Sequence, residues 1–469
     1  MKFKFSSLIV FLVIFVPFEV MILKYLPVSD AIYSYLRFSV EIIIYTVAGI
    51  LFARYLSAKK VPHGTSIDRP LLLFIIYALA ITVINQAPIL QSLIGLRTLL
   101  RYLPLMYIVA FVNFDESMPR KILHAIVFVA GIQSVLAIYQ HYAGIADFWY
   151  PRASDLEIGG KQVSFRLLST GFGGGREIGT GIGTFGDSVF LALFLVIAFA
   201  VTFATMQKKI LIPRFNKITF NIILLLIIIA LFFTYSRGSV LIALFTIPVI
   251  LFISGGKKKT LIYLVTGLIL ISPLIIFGVF SKENSDTYVN PKLKYTDPLA
   301  NIASVFSSSY VDKTMQFSRG AVLTEVGGYL VSSFKLIGYS PAQEFALEKA
   351  STKLFGSNMP INNLPIINDV YWVAFIIYYG LIGLAIFFYI LYKIFKAALF
   401  VYRNSPDPYF RIFALAMVAI IIIAIPYSLI LRTFVFRSFS FYFWLMAGLV
   451  FAEWRRLQIA EKQSIEANR

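Results

Sequence analysis

The chain has no cysteine and only three histidines among its 469 residues. The first absence excludes disulfides, thiol catalysis and Cys-based metal sites, and leaves the redox compartment open. His63, His124 and His141 lie far apart, none at metal-ligand spacing from another, so no metal is expected. Charge is scarce as well. Asp, Glu, Lys and Arg make up 14% of residues, against about 25% in ordinary soluble domains. No nucleic-acid-binding motif is present, and the one Gly-rich stretch has neither Walker A spacing nor a Rossmann βαβ context. Neither a cofactor nor a nucleic-acid partner is expected.

What is present is apolar. Hydrophobic residues make up 59% of the chain, and mean hydropathy is +0.81. They come in blocks separated by charged clusters, the pattern of a polytopic membrane protein. Phe (45) and Tyr (27) are abundant, which suits lipid-facing and interfacial surfaces. The net charge of +19 is read as cytoplasmic Lys and Arg facing anionic lipid. The first apolar run follows Met1-Lys-Phe-Lys like a signal peptide. It lacks a small-residue cleavage site and is read as a retained helix.

Apolar runs predict an all-α polytopic membrane protein with twelve spans, near 7–26, 38–56, 70–86, 92–113, 121–143, 178–206, 218–235, 238–254, 260–280, 368–392, 410–431 and 435–453. The third, seventh and eighth are slightly short. Alternate connections carry Lys2/Lys4, Lys59/Lys60/Arg69, Arg120/Lys121, Lys208/Lys209/Arg214/Lys217, Lys257/Lys258/Lys259 and Lys393/Lys396/Arg403/Arg411, and the tail adds Arg455/Arg456. By the positive-inside rule that series is cytoplasmic, so both termini are too, as an even span count requires. The organisation expected is 1–280 (nine spans), 281–367 (a long external loop), 368–453 (three spans) and 454–469 (a cytoplasmic tail).

The long loop shows helical apolar spacing twice. Gln316–Phe334 sets out Leu323, Val326, Leu330 and Phe334, and Ala342–Phe355 sets Phe345, Leu347, Ala350 and Leu354 among charges. Both are expected to lie on the outer membrane face. Gly356–Asn368 is expected to re-enter the membrane as irregular chain.

Arg237 is the only charged residue between Ile218 and Gly256. It sits in Thr234-Tyr235-Ser236-Arg237-Gly238, a tight hairpin between two spans. An arginine at a helix centre costs ~2.5–3.5 kcal/mol on insertion scales, so an anionic ligand is expected there. Further arginines fall on the external half: Arg97 and Arg101, four residues apart on one helix face, with Arg176, Arg319, Arg432 and Arg437. Arg suits a bidentate grip on phosphate, and a membrane-embedded diphosphate is the ligand class expected. The competing reading is that Arg97 and Arg101 pair with internal carboxylates, while Arg432 and Arg437 snorkel to headgroups. The run Gly171–Gly186 opens the sixth span; close helix packing is the favoured role of its glycines, and Asp187 follows near the helix start. Asp369, after Asn368, is read first as a helix N-cap and second as a general base. Glu325 is a further candidate base, and His141 a neutral interfacial residue.

These residues resemble the O-antigen ligase/polymerase superfamily of bacterial inner-membrane glycosyltransferases. The resemblance is carried by Tyr235-Ser236-Arg237-Gly238-Ser239, by the long loop with Arg319 and then Leu336-Ile337-Gly338-Tyr339-Ser340, and by Asn368-Asp369-Val370-Tyr371 leading to Tyr379-Gly380-Leu381-Ile382-Gly383-Leu384. It spans roughly Arg176 to Leu384 in pattern. It implies a glycosyltransferase C-type fold and metal-independent, inverting transfer of a glycan from undecaprenyl diphosphate on the periplasmic face, with arginines holding the diphosphate. Ligases of the family carry a histidine near the position of Asn368–Asp369. This chain has none after His141, which favours a Wzy-type polymerase of O-antigen or another surface polysaccharide. Donor and acceptor would both be lipid-linked oligosaccharide, and a chain-length regulator is a further candidate partner. Transfer to lipid A core, within lipopolysaccharide biosynthesis, is the alternative. A secondary transporter or flippase for lipid-linked sugars is the alternative of another class.

Overall fold

The computed structural model describes residues 5–58, 64–112, 117–143, 149, 157–158, 161–162, 180–207, 217–255, 322–332, 335–355 and 364–467. The described chain is helical apart from a two-residue antiparallel ladder, Glu157–Ile158 with Lys161–Gln162. α1 (Phe5–Phe15) passes through a 3₁₀ turn, Val16–Phe18, into α2 (Glu19–Lys24). Then come α3 (Asp30–Leu36), α4 (Ser39–Ser57), α5 (Asp68–Ile84), α6 (Ile89–Leu100), α7 (Leu103–Phe111), α8 (Met118–Ala143), α9 (Ser188–Thr205), α10 (Lys217–Phe233) and α11 (Arg237–Ile253). A π-helical turn, Val322–Val326, leads into α12 (Gly327–Ser332). It is followed by α13 (Gln343–Phe355), α14 (Leu364–Asp369), α15 (Tyr371–Asn404), α16 (Pro408–Tyr427) and α17 (Arg437–Ala467).

Among the described residues, six helical segments are long and apolar enough to cross a membrane: Phe5–Lys24, α4, α8, α9, α15 and α16. The pair α6–α7, bent by 49°, makes a seventh if it is one span. α10 and α11 are apolar but shorter, and α5 has 17 residues. Each expected span outside 256–321 overlaps helical chain, but only the six or seven named above have the length and apolarity to cross a membrane, so twelve spans are not shown; the one expected at 260–280 falls outside the described residues.

The sequence explains the breaks. Pro104 stands in the first turn of α7 and has no N–H to continue the ladder of α6, so the expected span 92–113 bends there. α15 is interrupted at Gly380, with φ 68° and ψ 179°. The sixth span begins ten residues later than expected. Gly183 (φ 55°) and Gly186 (φ 72°) take left-handed backbone. Asp187 then caps α9, its carboxylate accepting from the amides of Val189 at 2.6 Å and Phe190 at 3.3 Å.

α9 is apolar all round and buried along almost its whole length, against α8, α10, α11, α16 and α17. The non-helical stretch before it, 180–187, is buried as well. Its backbone is satisfied by α8: Gln140 Oε1 accepts from Ile182 N at 2.9 Å and Gly183 N at 2.8 Å, and Gln133 Oε1 accepts from Thr184 N at 3.0 Å. A Cβ on Gly181 would lie 2.8 Å from that of Ala137. Gly181 and Gly183 let this stretch approach α8 closely; the glycines from Gly171 to Gly179 lie outside the described residues.

Candidate functional site

Hydrogen bonds and ion pairs gather one end of the bundle. Thr184 donates to the Pro17 carbonyl at 2.5 Å, the Gly181 amide to Phe233 O at 2.8 Å, and Asn85 Nδ2 to Gly338 O at 3.1 Å. The ends of α2, α5, α8, α10 and α16 therefore meet the starts of α4, α6, α9, α11, α15 and α17.

Arg97, Arg101 and Arg437 meet two carboxylates there. Arg97 hydrogen-bonds Glu41 Oε2, and Arg101 Nη1 is 3.9 Å from Glu41 Oε1. Arg437 Nη2 lies 3.3 Å from Glu19 Oε1 and 3.9 Å from Glu41 Oε1; it also donates to the Arg37 carbonyl. Its Nε donates to the Tyr102 hydroxyl at 3.4 Å. Both glutamates are almost fully buried. Of the two readings of Arg97 and Arg101, pairing with internal carboxylates is the one the geometry gives. Arg437 is drawn into the bundle and does not snorkel to a headgroup. Glu19 and Glu41 were absent from the sequence-derived site. Each is a lone carboxylate inside an apolar span, as costly there as a lone arginine, and that was the signal available.

Arg237 is the first residue of α11, and the hairpin before it is tight, as expected. Tyr235 turns the chain with φ 52°, a value rare for a bulky residue. Hydroxyls line the turn: Ser236 Oγ lies 2.6 Å from Ser239 Oγ, and Ser239 hydrogen-bonds the Tyr427 hydroxyl at the end of α16. Gly238 sits where a Cβ would be 2.6 Å from Ile430 Cδ1. His141 is aromatic packing, stacked on Phe233 with centroids 3.8 Å apart.

The end of α16 is also the meeting point for the break between α14 and α15. Trp372 Nε1 donates to Ile425 O at 2.7 Å. Arg432 is near enough to Tyr371 and Tyr378 for its charge to act on both hydroxyls, and Tyr378 in turn hydrogen-bonds Asn368 Oδ1. Arg432 also faces the Phe436 ring at 6.0 Å. Thus Arg237, Arg432 and Asn368–Asp369 surround one helix end, from different elements. Asp369 is not the N-cap of α15. It closes α14, and Val370 holds the cap position with no side-chain cap.

The long loop returns into this end. Residues 335–340 run along the break in α15. There the helix would bond N–H(i) to O(i−4). Instead the Leu381 amide donates to Lys335 O at 2.9 Å and that of Ile382 to Leu336 O at 3.2 Å. The freed Ile377 carbonyl accepts from Tyr339 N at 2.9 Å, and that of Tyr379 from the Tyr77 hydroxyl at 2.8 Å. A Cβ on Gly338 would lie 2.2 Å from Tyr378 O, and one on Gly380 2.2 Å from Leu336 O. The two Gly-containing motifs quoted above are thus two halves of one contact. Ser340 continues it to α6, 2.8 Å from Ser92 Oγ. α13 packs on α6 and α15 with Ala346, Leu347 and Ala350 buried, so it lies against the bundle. The stretch 364–369, expected to be irregular, is helical because nothing in it but Pro365 restricts the backbone, and proline is tolerated in a first turn.

Arg176 and Arg319 lie outside the described residues. Glu325 falls in the π-helical turn. No group of three His, Asp or Glu among the described residues is placed to hold a metal. In comparisons with known proteins, no family profile matches the chain, and no curated protein matches it either.

Proposed function

We propose that this is an inner-membrane glycosyltransferase that polymerises undecaprenyl-diphosphate-linked oligosaccharide on the external face of a bacterial membrane, with both termini cytoplasmic. The observation that carries the reading is Arg237. It is the only charge between Ile218 and Gly256, and it stands at the start of α11, where the helix dipole also favours an anion. Arg237, with Arg319 and Arg176, holds the diphosphate of the donor. The acceptor hydroxyl attacks the anomeric carbon, the bond to the carrier oxygen breaks with inversion, and the carrier leaves as its diphosphate. Arg237 stabilises the charge that develops on that leaving group. The hydroxyl proton passes to Asp369 or Glu325, or to the departing carrier oxygen. Arg432 stands beside the Arg237 turn and supplements the cationic field. Arg97, Arg101 and Arg437, engaged by Glu19 and Glu41, shape the end of the bundle.

The test is complementation of a strain lacking surface-polysaccharide polymerisation. Arg237→Ala, at unchanged protein level, abolishes long chains; a normal length distribution sinks the reading. Purified protein given lipid-linked repeat unit, with and without lipid A core, then separates polymerase (oligomers alone) from ligase (transfer to core).

The broken helices α6–α7 and α15 favour a second reading, a transporter or flippase of lipid-linked sugars, since interrupted spans line substrate sites in transporters. Movement of labelled lipid-linked sugar across liposomes without chain growth would select it.

A further inference from the structure

A second concavity lies at the other end of the bundle, between the start of α5 and the second half of α15. It encloses about 800 Å³. Its lining residue Lys393 is thirteen residues beyond Gly380, which is ~20 Å along a helix, so the groove is separate from the arginine-rich end. Among the described residues, Arg120, Lys121, Lys396, Arg403 and Arg411 stand at the same ends of α8, α15 and α16 as the expected cytoplasmic connections.

We propose that this groove binds an anionic phospholipid. Three features point to that ligand. Arg69 on α5 and Lys393 on α15 provide cations from two different helices, and the Lys393 ammonium sits over the Tyr389 ring at 5.1 Å from its centroid. The Ser66 hydroxyl lines the groove, is buried, and has no hydrogen-bond partner among the described residues. A buried hydroxyl left in that state is unfavourable, and a phosphate oxygen would accept from it. The third feature is the wall. Leu73 and Ile386 line the groove, and from Leu73 an exposed apolar stripe continues along α5 through Ile76.

Asp68 also lines the groove, and its negative charge must be weighed. Its carboxylate is taken by its own loop: Oδ2 accepts from the Thr65 amide at 2.7 Å, and Oδ1 from the Tyr107 hydroxyl at 2.8 Å and from the Thr65 hydroxyl. Two cations against one such engaged carboxylate leave the lining positive. A free oxyanion would use the cations but not the apolar stripe. A zwitterionic lipid would use the stripe but bring its own cation against Arg69 and Lys393. A lipid with an anionic headgroup uses all three: phosphate between Arg69 and Lys393, a hydrogen bond from Ser66, and acyl chain along Leu73 and Ile76.

The experiment titrates purified full-length protein in detergent with short-chain phosphatidylglycerol, with phosphatidylcholine of the same chain length, and with inorganic phosphate, reading thermal stability. Phosphatidylglycerol is expected to bind roughly thirtyfold more tightly than phosphatidylcholine, the effect of two surface cations, and phosphate alone to give no shift. In the double variant Arg69→Gln/Lys393→Gln the preference disappears. Ser66→Ala, a mild change that should not disturb folding, weakens phosphatidylglycerol binding and leaves phosphatidylcholine binding unchanged. Lys396→Gln, on the same helix and outside the groove, retains the full preference. Equal binding of the two lipids, a shift with phosphate alone that matches the lipid's, or a preference that survives both Ser66→Ala and the double variant overturns the proposal.

Discussion

Two arginine settings share one end of this bundle. Arg97, Arg101 and Arg437 are held against carboxylates, Glu41 and Glu19, drawn from the first two spans. Arg237 stands at a turn built from hydroxyls, Ser236, Ser239 and Tyr427, on helices without a carboxylate. The first setting is a closed arrangement of opposite charges and has the character of a fastening. The second places a cation where the chain itself supplies no opposite charge nearby in sequence, which is the character of a ligand site. The two settings differ in their neighbours among the described residues, carboxylates in the first and hydroxyls in the second.

The sharpest way to break this contrast is Glu41→Gln. Three guanidiniums converge on that carboxylate, and removing one partner of a buried ion pair costs about 3–5 kcal/mol. Thermal unfolding in detergent should show that loss, with reduced protein in the membrane. A variant as stable as the parent would mean that the arginines do not depend on Glu41. Arg237→Ala is expected to show the opposite profile: a fall in transfer rate of about 10²–10³, typical for loss of a group that stabilises developing negative charge, with little change in unfolding temperature. Were it to unfold the protein as Glu41→Gln does, the two settings would be one. Glu19→Gln should be milder than Glu41→Gln, roughly 1–3 kcal/mol, the cost of leaving a buried polar group less well satisfied. Among the described residues its ion pair is with Arg437, against three arginines for Glu41, and equal losses for the two glutamates would erase the difference between them. Tyr427→Phe is the smallest, about 1 kcal/mol for one hydrogen bond. It leaves Gly238 its aromatic neighbour, so a large loss would show that the hydroxyls fasten this turn as firmly as carboxylates fasten the other.

Most of the helices were legible from apolar runs, because a span announces itself by length and composition alone. Their interruptions were less so. Pro104 carried the signal for the bend at α7, but a proline in a first turn is also compatible with a straight helix start, and only the neighbouring packing decides. Gly380 gave no sign of its own. Its φ of 68° has meaning only because residues 335–340 come from elsewhere in the chain to take up the backbone groups it releases. The arginines were visible as expensive residues. Their division was not, since attention to cations alone passes over Glu19 and Glu41, whose cost in an apolar span is of the same order. Asp369 was misplaced by one residue as a cap. Helix boundaries shift by that much easily, and here Val370 takes the turn.

The seam between residues 335–340 and the broken α15 has a practical consequence for anyone dividing this molecule. A cut at residue 367, the expected end of the long loop, would not yield a separable loop module and an intact helical part. The amides of Leu381 and Ile382 would lose Lys335 and Leu336 as acceptors at the break in α15. Chimeras that exchange the loop to change specificity should therefore place their upstream junction before Lys335 and carry the seam through Leu384. The unit of exchange is the loop end together with the helix it mends.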